Sequence, residues 1–172
     1  MAYDQNHPTL ATTLSNLGSI LLDMCKYEEA QKCLERALTI KEMAYDQNYP
    51  TLATTLNNLG LSFPDLGKYE EAQKCLERAL TIQEMAYDQN HPTLATTLSN
   101  LGLNLCFMGK YEKAQKCLWR ALIIQEMAYD QNHPTLATTL SNLGSILRHL
   151  GKYEESQKYL ERALTIQEMV YV

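Results

Sequence analysis

The sequence predicts an all-α fold, an α-solenoid built from four helix-turn-helix repeats. The first observation is a fixed period, because residues 8–18 return almost unchanged at 50–60, 92–102 and 134–144, each time 42 residues later. The second is that every period contains two stretches in which apolar residues follow helical spacing. Because such a unit buries its apolar side only against its neighbours, the copies predict one repeat array.

The repeat boundaries follow from the period. We assign the repeats to residues 1–42, 43–84, 85–126 and 127–168, and residues 169–172 to the start of a truncated fifth repeat. The chain begins in register with the other copies, which predicts that its first residues are not a targeting leader. Solenoids need polar terminal repeats for solubility, and neither end has one. We therefore expect the chain to be part of a longer protein.

The first helix of each repeat is predicted from its apolar side. In repeat 1 that side consists of residues at helical spacing, which are Leu10, Leu14, Leu17, Leu21 and Met24. Pro8 suits the first turn, where no backbone N–H is needed. The later copies end this helix with glycines that tolerate left-handed backbone, which are Gly67, Gly109 and Gly151. Cys25 takes that place in repeat 1, so we predict the most strained turn there.

The second helix is predicted to begin near Tyr27 and to run to about Ala44, before the polar turn 46–48. Its inward stripe has helical spacing and consists of Tyr27, Ala30, Leu34, Ala37 and Leu38. Close approach of the two helices is predicted at small residues, which are Ala11, Gly18, Ala30 and Ala37. In repeat 2, Pro64 lies inside the first helix and predicts a kink or an early 3₁₀ ending.

Composition argues against several classes of function. The net charge of −5 gives no electrostatic reason to bind nucleic acid or an anionic membrane. No stretch approaches the roughly 18 consecutive apolar residues that span a bilayer. Equivalent positions of stacked helices lie about 8–10 Å apart, beyond the roughly 7 Å limit for a disulfide. We therefore expect the five cysteines to be reduced structural thiols in a cytoplasmic protein.

The histidines do not predict a metal site. His7, His91 and His133 share one repeat position, and Tyr49 takes it in the remaining copy. Zinc ligands must converge within about 2.0–2.1 Å of one ion, which one histidine per repeat does not provide. We expect these side chains to help start the first helix. Without a convergent nucleophile and base or a phosphate loop, we expect no catalytic residue, no metal and no cofactor, and therefore no enzyme.

Several motifs resemble the tetratricopeptide repeat. The first helix of repeat 1 contains Leu14-x-x-Leu17-Gly18-x-x-Leu21. The start of the second helix of repeat 2 contains the run 67–72 (GKYEEA), followed by Leu76-x-x-Ala79-Leu80. The usual repeat of that family has 34 residues. The 42-residue form seen here is similar to the repeats of kinesin light chain. Leu14 stands where many such repeats carry tryptophan. The resemblance implies a right-handed α-solenoid.

In that family the first helix of each repeat lines a concave groove. The resemblance therefore implies a ladder of amide side chains in the groove, formed by Asn16, Asn58, Asn100 and Asn142. The preceding residues are expected beside it, which are Ser15, Asn57, Ser99 and Ser141. An amide offers both donors and an acceptor, which suits the backbone of an extended peptide. The alternative is that these asparagines serve only the packing between repeats.

The copies differ most in a block at the end of the first helix. Two positions of this block, three residues apart, are apolar in all four copies. They are the pairs Leu21/Met24, Phe63/Leu66, Leu105/Met108 and Leu147/Leu150. Other positions of the block differ in chemical class from copy to copy, and we predict that they give the groove its selectivity. They include Asp23, Asp65, Phe107, Arg148 and His149. The first half is thus mildly acidic and the last repeat basic. Neutral drift after duplication is the alternative explanation.

Repeat 3 departs from the other copies on its second helix. Trp119 replaces an outward glutamate, and Ile123, four residues later, replaces a threonine. Two apolar side chains at this spacing lie on one face of a helix. We regard them as a candidate outer contact for a partner, although single exposed apolar residues are common.

Two functions remain open at this point. The leading interpretation is a protein-interaction scaffold that binds a peptide or a partner domain in the groove, without nucleic acid or membrane. The alternative is a structural array that stacks end to end or exchanges helices through its uncapped terminal surfaces. A contact of that kind between unlike surfaces can build open filaments.

Overall fold

A computed structural model describes residues 7–45 and 49–170. The chain divides into two compact units, Met1–Tyr87 and Asp88–Val172. The regular structure in the described residues is helical. Unit 1 contains α1 (Pro8–Asp23), α2 (Tyr27–Ala44), α3 (Pro50–Ser62) and α4 (Tyr69–Ala86), with a short 3₁₀ helix at Pro64–Leu66. Unit 2 contains α5 (Pro92–Phe107), α6 (Tyr111–Ala128), α7 (Pro134–His149) and α8 (Tyr153–Val170). The uninterrupted repeat gave no sign of a division at Tyr87.

Each repeat is a hairpin whose two helices approach closely. The predicted small residues lie at the contact, and Ala11, Ala30 and Ala37 are fully buried there. A Cβ added to Gly18 would lie only 2.5 Å from Cγ of Leu34. The second helix begins at Tyr27 and ends at Ala44, which confirms both predicted bounds. The predicted turn 46–48 lies outside the described residues.

The core of unit 1 joins the two repeats. One cluster combines Leu21 and Leu34 of repeat 1 with Leu59 and Phe63 of repeat 2. A second cluster is built around α3 and α4 and is covered by Leu38 of α2. The first helix of repeat 2 therefore packs against both second helices of the unit. Each hairpin hides part of its apolar side against its neighbour, as expected for stacked repeats.

The apolar side predicted for α1 is only partly buried. Leu17 is 46% exposed and Met24 is exposed as well, whereas Leu59, the equivalent of Leu17 in repeat 2, is only 3% exposed. Leu59 is covered because repeat 1 packs against it, and in the described part of the chain no repeat covers that side of α1. Met24 follows the last residue of α1 as its C-cap. For these two residues the predicted burial was wrong.

Histidine and proline start three of the first helices. The ring nitrogen Nδ1 of His7, His91 and His133 accepts a hydrogen bond of 3.3 Å from the backbone N–H two residues later. Each histidine is the N-cap of its helix, and proline follows it. The predicted role of these histidines is confirmed. Tyr49 makes no such bond at the start of α3.

Pro64 interrupts the first helix of repeat 2. The α-helix ends at Ser62, and Pro64–Leu66 form a turn of 3₁₀ helix before Gly67. Proline lacks the N–H that would bond to the carbonyl four residues earlier, and its ring crowds that carbonyl. The predicted early 3₁₀ ending is confirmed.

Cys25 adopts left-handed backbone, with φ of 57°, and among the described residues it is the one non-glycine with positive φ. The glycines at the same turn in the other repeats have φ of 70–72°. A residue with a Cβ pays about 1–2 kcal/mol in this region, and glycine does not. The predicted place of the most strained turn is therefore supported by the backbone.

Cys25→Gly is expected to raise the free energy of unfolding by about 1 kcal/mol, because it relieves this backbone strain. Urea denaturation followed by circular dichroism measures the change. Cys25→Ala is the matched control, since it removes the thiol and keeps the strained backbone, and we expect no gain from it. A stability gain of equal size in both variants would place the effect in the thiol and not in the backbone.

Candidate functional site

The asparagine ladder lies on the first helices, at one position per repeat. Asn16 is exposed, and Asn58, Asn100 and Asn142 are half-buried. The preceding residues turn toward the seam between repeats, because consecutive helical residues point about 100° apart. Ser15 is buried and Asn57 is buried, while Ser99 and Ser141 are half-buried. In unit 1, Oγ of Ser15 lies 3.2 Å from Oγ1 of Thr55 on the next repeat.

Unit 2 has an open pocket of about 360 Å³ between the first helices of its two repeats, α5 and α7, which we call the polar pocket after the hydroxyl and amide groups of its lining residues. Its lining contains hydroxyl and amide side chains and no charged residue, and consists of Thr96, Ser99, Asn100, Gln125, Pro134, Thr135, Thr138 and Thr139. Two of the predicted groove residues, Asn100 and Ser99, thus line one pocket. Gln125 reaches it from the second helix, α6, which the sequence did not predict.

Two polar atoms of this pocket have no hydrogen-bond partner. They are Oε1 of Gln125 and Oγ of Ser99, and both are buried. The side chain of Gln125 is only 3% exposed. An unpaired buried polar atom costs about 1–3 kcal/mol. A hydrogen-bond donor that reached either atom would remove that cost.

Unit 1 shows the same arrangement with one residue changed. Every lining residue of the pocket except Gln125 has an equivalent of identical type 84 positions earlier, whereas Lys41 takes the place of Gln125. Lys41 is buried, and its ammonium donates to Oγ1 of Thr55 at 2.7 Å and to the carbonyl of Thr51 at 3.3 Å. Desolvation lowers the pKa of Lys41. In unit 1, a cation therefore satisfies these acceptors.

The variable end of the first helix places its predicted residues in different surroundings. Asp23 and Asp65 are exposed. Asp65 interacts with Tyr27, the first residue of α2. The pKa of Tyr27 is raised to about 12, first by a hydrogen bond to Cys25 and then by desolvation and the charge of Asp65. Both carboxylates remain accessible to a partner of unit 1.

In unit 2 the equivalent residues do not converge on one site. Phe107 is exposed at the end of α5. The ring of His149 stacks on Tyr111 of α6, with centroids 4.6 Å apart. Arg148 lines an open, mostly apolar hollow of about 340 Å³ with Leu160 and Leu164 of α8. The basic end of this unit therefore borders the outer side of α8, and the polar pocket does not include it.

The predicted outer contact contains a third residue. Trp119 and Ile123 are both about half exposed on α6. Nε1 of Trp119 donates a hydrogen bond of 2.8 Å to the hydroxyl of Tyr159 on α8. Tyr159 itself stands where the other copies have cysteine. Two departures from the repeat sequence thus contact each other, which orients the indole ring on the surface.

Other kinds of site find no support in the described residues. Within 7–45 and 49–170, no three histidine, cysteine or acidic side chains gather as metal ligands would. None of the five cysteines, all of which lie in the described residues, forms a disulfide. Burial raises the pKa of the Cys75 thiol to about 11, so it is protonated at neutral pH and a poor nucleophile. None of the helices described above has the length and apolarity of a membrane-spanning segment.

Comparison with known proteins identifies the repeat. The family model of the tetratricopeptide repeat matches residues 9–85, 65–118 and 93–169. No curated protein matches the sequence. The solved structures that resemble the chain include BtubC (BKLC) from P. vanneervenii, with 23% identity, a TM-score of 0.88, and coverage of 99% of this chain and 68% of that one.

Two further structures have the same fold. The nearly identical TPR-like repeats of a putative kinesin light chain from Podospora anserina are 20% identical, with a TM-score of 0.81 and coverage of 99% and 80%. The apo form of RapI is 19% identical, with a TM-score of 0.84 and coverage of 98% and 59%. At these identities the likeness concerns the fold, an all-α solenoid of helical repeats. The chain belongs to the tetratricopeptide repeat family.

Proposed function

We propose that this tetratricopeptide-repeat interaction scaffold binds an extended peptide along the first helices of its repeats. The observation that carries the proposal is the polar pocket of unit 2, in which α5 and α7 present Asn100 and several hydroxyl groups. A peptide backbone presents donors and acceptors in alternation, and neutral amides and hydroxyls pair with both. The lining has no basic residue, which disfavours recognition of acidic groups.

The variable end of the first helix is proposed to provide selectivity. Asp23 and Asp65 are exposed in unit 1 and favour a peptide with a basic residue near them. Exposed Phe107 offers an apolar contact in unit 2. Charges at the rim of a site change partner choice and association rate more than affinity.

Capture from a random peptide library tests the proposal. We expect the wild-type chain to enrich a defined peptide set, and Asn58→Ala or Asn100→Ala to weaken binding of those peptides about five- to tenfold, the effect of one lost hydrogen bond. Asn132→Ala is the matched control, because it makes the same substitution at an exposed position between α6 and α7. Isothermal titration with the captured peptides measures the affinities. Unaltered capture by both groove variants would contradict the amide ladder.

The second candidate function is self-association, and it is favoured by the outer side of α8. Leu160 is 42% exposed, whereas Leu34, its equivalent in repeat 1, is fully buried. Leu164 is also exposed, and both line the apolar hollow described above. In unit 1 a helix of the next repeat covers the equivalent face, so a second copy of the chain could cover this one with the exposed side of α1. The contact joins unlike surfaces, so it builds a ring if the rotation between copies closes and an open filament if it does not.

Sedimentation velocity at several concentrations distinguishes the two functions. Growth of the particle with concentration, abolished by Leu164→Glu, supports stacking. A monomer that captures peptides supports the scaffold.

Trp119 and Ile123 remain a proposed outer contact for a partner, and a Trp119→Glu variant with unchanged association would exclude that role.

A further inference from the structure

We infer that the polar pocket of unit 2 binds a primary ammonium group, presented by a lysine side chain of a bound peptide. The inference rests on the proposed function only for the source of the ammonium. The chemistry itself follows from the comparison between the two units. Unit 1 has an ammonium among the same side chains that surround the pocket in unit 2.

The acceptors of the pocket are those that hold Lys41 in unit 1. Oγ1 of Thr55 and the carbonyl of Thr51 accept from the Lys41 ammonium, and their equivalents are Thr139 and Thr135. Both equivalents line the pocket. The side chain of Gln125 is one bond shorter than that of lysine, so its terminal atoms do not reach as far. The volume that the lysine end fills in unit 1 is thereby left open in unit 2.

The unpaired atoms specify the class of ligand. Oε1 of Gln125 accepts hydrogen bonds and cannot donate, and the buried hydroxyl of Ser99 can also accept. An ammonium has three donors and no acceptor, so it pairs with three oxygen atoms at once. An anion would meet no basic side chain in the lining. A hydrophobic group would leave both buried atoms unpaired.

The neutral lining limits affinity and explains why the ligand should arrive as part of a peptide. The pocket has no carboxylate to offset the desolvation of a cation. A free alkylammonium is therefore expected to bind weakly, with a Kd on the order of 1–10 mM. Attachment to a peptide held by the neighbouring asparagines raises the effective concentration of the ammonium at the pocket.

Chemical-shift titration of the full chain with n-butylammonium chloride tests the inference. We expect saturable shifts at the Gln125 side-chain amide and at Thr138 and Thr139. Tetramethylammonium has the same charge without N–H donors, and N-methylacetamide has a neutral donor, so we expect neither to produce these shifts. Equal shifts with tetramethylammonium, shifts with N-methylacetamide instead, or no shift with n-butylammonium would each overturn the inference.

Exchange of the one differing residue provides matched variants. Gln125→Lys places a tethered ammonium in the pocket and is expected to weaken n-butylammonium binding at unit 2 at least tenfold. Lys41→Gln is expected to create a second site, with new shifts at Thr51 and Thr55. Continued binding by folded Gln125→Lys would contradict the inference. If Lys41→Gln does not fold, the comparison of n-butylammonium binding by the wild type and by Gln125→Lys still tests the inference.

A further arm separates the source of the ammonium from the function of the groove. Captured peptides are compared with versions in which lysine is replaced by norleucine. Loss of at least fivefold in affinity identifies the peptide lysine as the source, and unchanged affinity together with n-butylammonium binding identifies a free amine. Capture of peptides without any n-butylammonium shift would leave the proposed function standing and remove this inference. Shifts with n-butylammonium without capture of any peptide would support the ammonium site and remove the proposed function.

Discussion

Leu34→Ala is expected to lower the free energy of unfolding by about 2–5 kcal/mol, the range for truncation of a fully buried leucine. Leu34 is completely buried and packs in one cluster with Leu59 and Phe63 of the next repeat. The substitution therefore removes contacts within the hairpin and contacts between repeats at the same time. Urea denaturation followed by circular dichroism measures the loss.

The chain supplies its own control for this experiment. Leu160 occupies the same position in repeat 4 and packs against a glycine in the same way, but it is 42% exposed. Leu160→Ala is therefore expected to cost about 1 kcal/mol or less. The difference between the two variants measures the contribution of the adjoining repeat. Equal losses would mean that the hairpin alone stabilises this position.

Gly60→Ala is expected to lower the free energy of unfolding by about 1–3 kcal/mol, because it overpacks a closed interior. The added Cβ would lie 2.7 Å from Cγ of Leu76, which is almost fully buried and has no space to move. Thermal denaturation followed by circular dichroism measures the effect. The change acts on the close contact within a hairpin and not on the contact between repeats.

Gly144→Ala is the matched control for Gly60→Ala. Its added Cβ would lie 2.6 Å from Cγ of Leu160, a contact just as short. Leu160 is partly exposed and can turn toward solvent. The gain in helix propensity of about 1 kcal/mol then offsets the remaining cost, so we expect little net change. A large loss in Gly144→Ala would show that the helix backbones, and not the leucine, resist the methyl group.

The regular features of the fold could be predicted because they depend on local chemistry. The bounds of α2, the early end of α3 before Pro64 and the histidine caps follow from turn and cap preferences within a few residues. Burial was less predictable. Leu17 and Leu59 have the same type and the same place in the repeat, and they differ in burial because of what packs on them from outside the repeat. No local pattern contains that information.

Part of the lining of the candidate pocket could be predicted. The sequence pointed to Asn100 and Ser99, and both line the polar pocket of unit 2. It did not point to Gln125, which reaches the pocket from the second helix. One signal was present, since Lys41 interrupts a series of glutamines at that repeat position, Gln83, Gln125 and Gln167. Its meaning required the burial of Lys41 and the partners of its ammonium, which only the packing of α2 against α3 provides.

The pairing of Trp119 with Tyr159 was missed for a similar reason. The two residues are 40 positions apart, and each was visible as a departure from the repeat. Their contact depends on the spacing of α6 and α8, which the period alone does not define. The hydrogen bond fixes the indole ring, and it makes Trp119 a natural fluorescent reporter for this face, since the chain has a single tryptophan.

The most direct test of the proposed function is a chemical-shift titration of the labelled chain with a captured peptide. Binding along the first helices predicts shifts of the side-chain amides of Asn16, Asn58, Asn100 and Asn142, together with Gln125 in the pocket, while the indole resonance of Trp119 stays unchanged. Shifts confined to Trp119 and the adjoining face of α6, with the asparagine amides unmoved, would contradict it.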